Sequence, residues 1–212
     1  MVGRALSEAQ CARLWEAWTP AEVAQRMASV AAPWYVAAGW ALDLFTGAST
    51  RAHDDLEIGF PRARFGEIVA AFPDFEWDVV GDGWIWPFPE QAARYHQTWL
   101  REPATGQYRV DVFREPHVGD RWVCRRDESI TLPYDELILH TRDAIPYAIP
   151  EVALLFKAKA LRQSNFQSLG TMAIHLSSWT VVGGTASQQI PSIAHMRFTK
   201  YVDTILSGRG FT

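Results

Sequence analysis

Cysteine is scarce. Cys11 and Cys124 are the two in 212 residues, and they make neither a metal-ligand spacing nor a disulfide framework, which points to a reduced, cytoplasmic chain. Positive charge is not concentrated anywhere. Lys and Arg number 20 against 24 Asp and Glu, the formal net charge is −4, and Arg125–Arg126 is the one adjacent arginine pair. A chain with no basic stripe does not bind nucleic acid by general counterion release. Long apolar runs are missing as well. No segment approaches the ~20 apolar residues of a membrane span, and the opening stretch MVGRALSEAQ does not read as a signal peptide.

What is present suits a globular protein. With 48% hydrophobic residues and 21% charged, the chain can bury a real core. Its length predicts one domain, or one domain plus an extension. Ten Trp is a high number. Each buries much area but needs a partner for its N–H, so they are expected in the core and along a cleft.

Two helix starts are readable. Ser7-Glu8-Ala9-Gln10 and Thr19-Pro20-Ala21-Glu22 fit the capping box, the second with Pro at the first helical position. They predict helices over 8–18 and 20–30. Pro33 precedes a short apolar strand over 34–38. WALDLF then reads as a short helix ending near Gly47, followed by an acidic strand over 54–60. Pro61 is expected to open a helix through Phe72, with Phe65, Ile68, Val69 and Phe72 at helical spacing. Residues 75–115 read as strands separated by Gly81-Asp82-Gly83 and Pro103-Ala-Thr-Gly106, and 121–132 as a further strand or hairpin. EVALLFKAKALR has the period of a helix. This mixture argues for an α+β or α/β fold with a mixed sheet. Past Arg162 the composition changes: the 49 positions from Ser164 to Thr212 hold 13 Ser or Thr and four charged residues, with no helical period.

Three carboxylates carry the chemistry. Strand side chains alternate between faces. In HDDLEIGF, Leu56, Ile58 and Phe60 therefore share one face, and Asp55 and Glu57 the other. In YRVDVF, Tyr108, Val110 and Val112 share a face opposite Asp111. If the two strands are close in one sheet, the acids converge, and a cation relieves their repulsion. A few oxygen-only ligands suit Mg²⁺ held together with substrate phosphates, a site for phosphoryl or nucleotidyl transfer.

The run WYVAAGWALDLFTGASTRAHDDLEIGF resembles the core signature of the nucleotidyltransferase superfamily, and most closely the aminoglycoside and lincosamide nucleotidyltransferases. Those carry two glycines, a Trp, an Asp three residues on, Thr-Arg, His and an acidic pair. Here the elements are Ala38-Gly39-Trp40, Asp43, Thr50-Arg51, His53 and Asp55-Leu56-Glu57, with the third acid matched by Asp111. Trp122 with Arg125-Arg126-Asp127, and PEVALLFKAK from Pro150, are weaker matches. The resemblance covers roughly residues 30–162. Two departures stand out: Ala38 replaces the first glycine, and Gln163-Ser164-Asn165-Phe166 replaces an acidic segment.

The resemblance implies an α+β nucleotidyltransferase (polymerase-beta-like) fold over 1–162, with 163–212 as an atypical C-terminal extension. It implies two Mg²⁺ ions on Asp55, Glu57 and Asp111, with Asp111 as general base. ATP or another nucleoside triphosphate would bind at the Ala38-Gly39 turn, with Arg51, Lys157 or Lys159 as countercharge. A nucleoside monophosphate, AMP by expectation, would go to a hydroxyl of a small, cationic acceptor of the aminoglycoside or lincosamide kind. Glu115 and Asp82 are candidates for binding that acceptor, with Trp84, Trp86 and Trp99 as walls. Asp43 and His53 are expected to be structural, Asp43 through a buried hydrogen bond to the Arg51 region. Two rivals remain open: a non-catalytic relative that binds a nucleotide or a partner, and a toxin–antitoxin type transferase acting on a protein hydroxyl. The chain could be a monomer or a homodimer.

Overall fold

In the computed structural model, which describes residues 3–157, both capping boxes form. After a two-residue strand β1 (Arg4–Ala5) come α1 (Glu8–Leu14) and α2 (Pro20–Arg26), each shorter than the pattern predicts. The first stops at Leu14 because the chain beyond it takes sheet-type bonds instead. The Glu16 N–H donates to the Tyr108 carbonyl and the Trp18 N–H to that of Arg109.

The strand expected over 34–38 narrows to β2 (Tyr35–Val36), and α3 (Ala38–Thr46) starts at once. Gly47, at φ 71°, closes that helix as a left-handed cap, where glycine avoids the Cβ penalty. The acidic strand, β3 (Glu57–Pro61), begins later than expected. Asp55 therefore sits in the bend before the strand. Pro61 ends the strand, and a 3₁₀ turn over Arg62–Arg64 leads into α4 (Phe65–Ala71).

Four antiparallel strands follow: β4 (Glu76–Gly81), β5 (Trp84–Pro87), β6 (Gln97–Arg101) and β7 (Tyr108–Glu115). The β4–β5 turn is Asp82 at φ 50° and Gly83 at φ 78°, the positive-φ pair that tight hairpins favour. The strands β8 (His117–Val118), β9 (Arg121–Val123) and β10 (Thr131–Pro133) form a separate small sheet. Then come α5 (Tyr134–Leu137), β11 (Ile138–His140), β12 (Pro146–Ala148) and α6 (Pro150–Lys157). The main sheet is mixed, in the order β1-β5-β4-β6-β7-β3-β2-β12-β11, with parallel pairs at β7–β3 and β2–β12.

One face of this sheet carries the main core. Val36, Ile58, Phe60, Leu100, Val110 and Val112 pack there with Trp18, Val23, Met27, Phe65, Ile68 and, from α6, Val152 and Leu155. Leu56, Ile58 and Phe60 are fully buried, each contributing about 1.5–3 kcal/mol. A one-residue slip of β3 would exchange them for Glu57, so the register is firmly set. On the other face α1 lays Leu14, Trp15 and Cys11 over Ile85, Trp99 and Tyr108. Tyr108 joins this second cluster, not Val110 and Val112 as simple alternation predicts, because the β6–β7 register shifts at Leu100/Arg101.

Candidate active site

The acids lie on the face opposite the main core. In the parallel β3–β7 ladder Glu57 is the direct neighbour of Asp111, and the Asp111 amide donates to the Leu56 carbonyl at 2.8 Å. The same level continues across the sheet, Asp111 beside Trp99 and Trp99 beside Asp78. On Asp78 two donors converge on Oδ2, Arg101 Nε at 2.8 Å and the Tyr108 hydroxyl at 2.9 Å. Asp111 meets neutral donors alone among the described residues. It is 2% exposed, Gln97 Nε2 donates to its Oδ2 at 2.5 Å, and the Trp99 indole acts on the carboxylate without closing a well-formed hydrogen bond to the buried Oδ1. Burial first, then the Glu57 charge, raises the Asp111 carboxyl well above its ordinary range. Asp55 adds to the rise, and the Gln97 bond and the Trp99 indole work against it. Asp55 is itself raised by burial, with Arg51 opposing. Glu57 and Asp55 thus both act electrostatically on Asp111, although Asp55 reaches the region from a bend and not from the strand. Among the described residues, no group of three or more His, Cys, Asp or Glu side chains stands together so as to hold a metal ion.

A latch holds that bend. Asp43, on α3, is buried and accepts from Thr50 Oγ1 at 2.6 Å and the Thr50 amide at 3.2 Å, and its Oδ2 lies 2.7 Å from His53 Nε2. Burial opposes the Asp43 charge, but the bonds from Thr50 and His53 outweigh it and the carboxyl sits below its ordinary value. His53 stacks on Trp40 with centroids 4.4 Å apart, and Trp40 Nε1 donates to the Asp55 carbonyl at 3.1 Å. Asp43 and His53 thus bond each other and the stretch beside Arg51. Bonds from Trp40, Asp43, Thr50 and His53 fix the loop that delivers the acids.

The turn before α3 is tight in the way the sequence suggests. Ala38 stands at φ 49°, the left-handed region where a Cβ costs roughly 1–2 kcal/mol. Gly39 has no such freedom to spare: a Cβ there would lie 2.7 Å from both Arg51 Nη2 and His53 Cε1. The Arg51 guanidinium is thus drawn against the first turn of α3, where unpaired N–H groups favour anions, and its Nη1 donates to the Ala52 carbonyl at 3.0 Å.

Several expected acceptor contacts lie elsewhere. Trp84 and Trp86 pair in register with Gly81 and Val79, which puts them on the main-core face, opposite Asp111. There Trp86 stacks on Tyr95 at 5.2 Å. Only Trp99 of the three lies on the acid face. Asp82 is in the exposed β4–β5 turn, accepting from the Tyr95 hydroxyl at 2.7 Å. Glu115 shares the Asp111 face but is buried and paired with Arg125, whose guanidinium lies 4.7 Å from the Phe113 ring centroid and 4.1 Å from that of Phe156. Lys157 ends α6, and its side chain, like Lys159 and residues 163–212, lies outside the described residues. Gln97 was missed by the sequence reading. Its role follows from the β6–β7 register, which no local pattern in QTWLR reveals.

A family model described as aminoglycoside-2''-adenylyltransferase matches residues 21–98, the span that holds the turn, the latch, Asp55 and Glu57. No curated protein matches the chain. Among solved structures, the lincomycin-bound lincosamide antibiotic adenylyltransferase LnuA is similar at 15% identity and TM-score 0.50, over 79% of this chain and 96% of that one. The solution structure of the antibiotic-resistance factor ANT(2'')-Ia is similar at 12% identity and TM-score 0.50, over 95% and 98%. The crystal structure of ANT(2'')-Ia in complex with adenylyl-2''-tobramycin is similar at 12% identity and TM-score 0.50, over 86% and 95%. At these identities the likeness is one of fold: this chain has the mixed-sheet nucleotidyltransferase fold.

Proposed function

We propose that the protein is a Mg²⁺-dependent nucleotidyltransferase that moves a nucleoside monophosphate, AMP in the leading case, from its triphosphate to a hydroxyl of an aminoglycoside- or lincosamide-like acceptor. One observation carries this reading: Asp111 and Glu57 are neighbours on the face opposite the main core, and among the described residues the buried Asp111 carboxylate meets neutral donors alone, Gln97 and the Trp99 indole. A buried carboxylate without a positive partner is costly unless a cation or a proton meets it. Two carboxylates completed by substrate phosphates are a usual Mg²⁺ arrangement, so Glu57 and Asp111 are the pair that would hold the metal, and Asp55, outside any three-acid group among the described residues, would have to close in from the bend to join them. Mg²⁺ bound there would offset charge on the attacking and leaving oxygens.

The chain's own residues divide the remaining work. The α3 N-terminus at Ala38-Gly39, with Arg51 against it, faces the triphosphate. The acceptor oxygen attacks the α-phosphorus as the bond to the pyrophosphate oxygen breaks, and Asp111 takes the hydroxyl proton. Support for an antibiotic-like acceptor comes from what LnuA and ANT(2'')-Ia are described as binding.

The test is direct. Incubate the protein with ATP or GTP, Mg²⁺ and a panel of aminoglycosides and lincosamides, and follow pyrophosphate release. Release that requires Mg²⁺ and one class of acceptor is expected. Mg²⁺-dependent nucleotide binding with no release on any small acceptor would leave the non-catalytic or protein-directed readings in its place.

A further inference from the structure

Two aspartates flank Trp99 at the same level of the sheet, and they are treated differently. Asp78, on β4, receives a guanidinium from Arg101 and a hydroxyl from Tyr108. Asp111, on β7, receives a neutral amide from Gln97 on the adjacent strand. An arginine in that place would neutralise the acid, as Arg101 does at Asp78. The carboxamide leaves the charge in place. It fixes Oδ2, while among the described residues the buried Oδ1 has no well-formed hydrogen bond, the Trp99 indole acting on the carboxylate from the side. This matters because rotation about the terminal torsion of Asp is soft and roughly two-fold. A donor fixed on Oδ2 holds that torsion.

We infer that Gln97 is a positioning residue for nucleotidyl transfer. It orients the Asp111 carboxylate without cancelling its charge, so that Oδ1 is the atom presented to the metal and the acceptor hydroxyl. This rests on the function proposed above and adds a residue to it. It also explains why the β6–β7 register must hold at this point: Gln97 pairs with Phe113, one same-face step from Asp111, which puts its amide within reach of the carboxylate.

The test uses Gln97→Met, which keeps the bulk and removes the donor, and Gln97→Arg, which remakes the Asp78 arrangement. For Gln97→Met, kcat should fall about 10–100-fold, the usual cost of losing a partner that orients a metal ligand. The KM for ATP and the melting temperature should stay near wild type. For Gln97→Arg, Mg²⁺-dependent ATP binding measured by calorimetry should be lost while the melting temperature holds or rises. A Gln97→Met protein with wild-type kcat overturns the inference. So does one whose rate, ATP binding and melting temperature fall together, since that marks a structural role. If the wild-type protein releases no pyrophosphate with any acceptor, the transfer reading fails by itself. The calorimetric arm then decides: Gln97→Arg protein that binds Mg²⁺–ATP like wild type overturns the orienting role, and loss of binding supports it.

Discussion

Glu57 and Asp111 stand side by side across the parallel β3–β7 ladder, and of the two only Asp111 is fully buried. Burial, then the Glu57 charge, hold the Asp111 carboxyl above its ordinary 3.8. A raised folded-state value in an acid gives stability that is complete below the unfolded value and is lost as pH rises through the folded one. In EDTA, Asp111→Asn should therefore melt above wild type at pH 7, with the gap closing as pH falls towards 3.8. Each kcal/mol is worth about 2–4 °C in a chain of this size. Turnover should be abolished. Scanning calorimetry at several pH values checks the first part and pyrophosphate release the second.

Ala38 pays for its left-handed backbone. Replacing it with glycine removes roughly 1–2 kcal/mol of strain but restores freedom to the unfolded chain, worth about 0.4–1 kcal/mol. Ala38→Gly should thus stabilise the protein by about 1 kcal/mol or less, a rise in melting temperature of a few degrees at most, read by calorimetry. Gly39→Ala should do the opposite and also raise the KM for ATP, because its Cβ displaces Arg51 and His53.

How much of this is legible without a structure depends on whether a feature is local. The capping boxes, the Gly47 stop and the positive-φ hairpin at Asp82-Gly83 are written in a few adjacent residues, and they form where the sequence puts them. The acid face is legible from alternation, since Leu56, Ile58 and Phe60 must go to the core. Alternation fails at Tyr108, where a register shift intervenes. Faces are also invisible across strands. Trp84, Trp86 and Trp99 look equivalent in the sequence, but pairing puts the first two on the far side of the sheet. Asp55 misled in a different way: its spacing from Glu57 fits a strand, while the latch bonds of the Asp43–His53 loop delay the strand to Glu57.

That latch predicts its own cost. Asp43→Ala strips the acceptor from the Thr50 hydroxyl, the Thr50 amide and His53 at once. A loss of about 2–4 kcal/mol is expected, the range for breaking a buried hydrogen-bond network. Because the Asp43 carboxyl lies below its ordinary 3.8 in the fold, its stabilisation is present above that value and is lost as pH falls through the folded one. Asp43→Asn should flatten the acid side of the stability curve, and urea unfolding from pH 2 to 7 measures both variants. The kcat should fall with Asp43→Ala even where the protein is folded, since Asp55 depends on the same loop.

Glu115 lies on the Asp111 face, two same-side positions further along β7, and burial pushes its carboxyl from 4.5 up to about 7 against the pull of Arg125. Its contribution to stability is therefore complete below about 4.5 and is lost as pH rises through about 7. Glu115→Gln keeps an oxygen for Arg125 and removes the titration. The difference in melting temperature, variant minus wild type, should climb from about pH 4.5 and level off above about pH 7, and calorimetry across that interval reads it. A flat difference would mean that Glu115 titrates like an exposed carboxylate. Repeating the series in the Asp111→Asn background separates the two buried acids. The Glu115 transition should persist there, because the charges acting on it come from Arg125, Arg62 and Arg126 and not from Asp111.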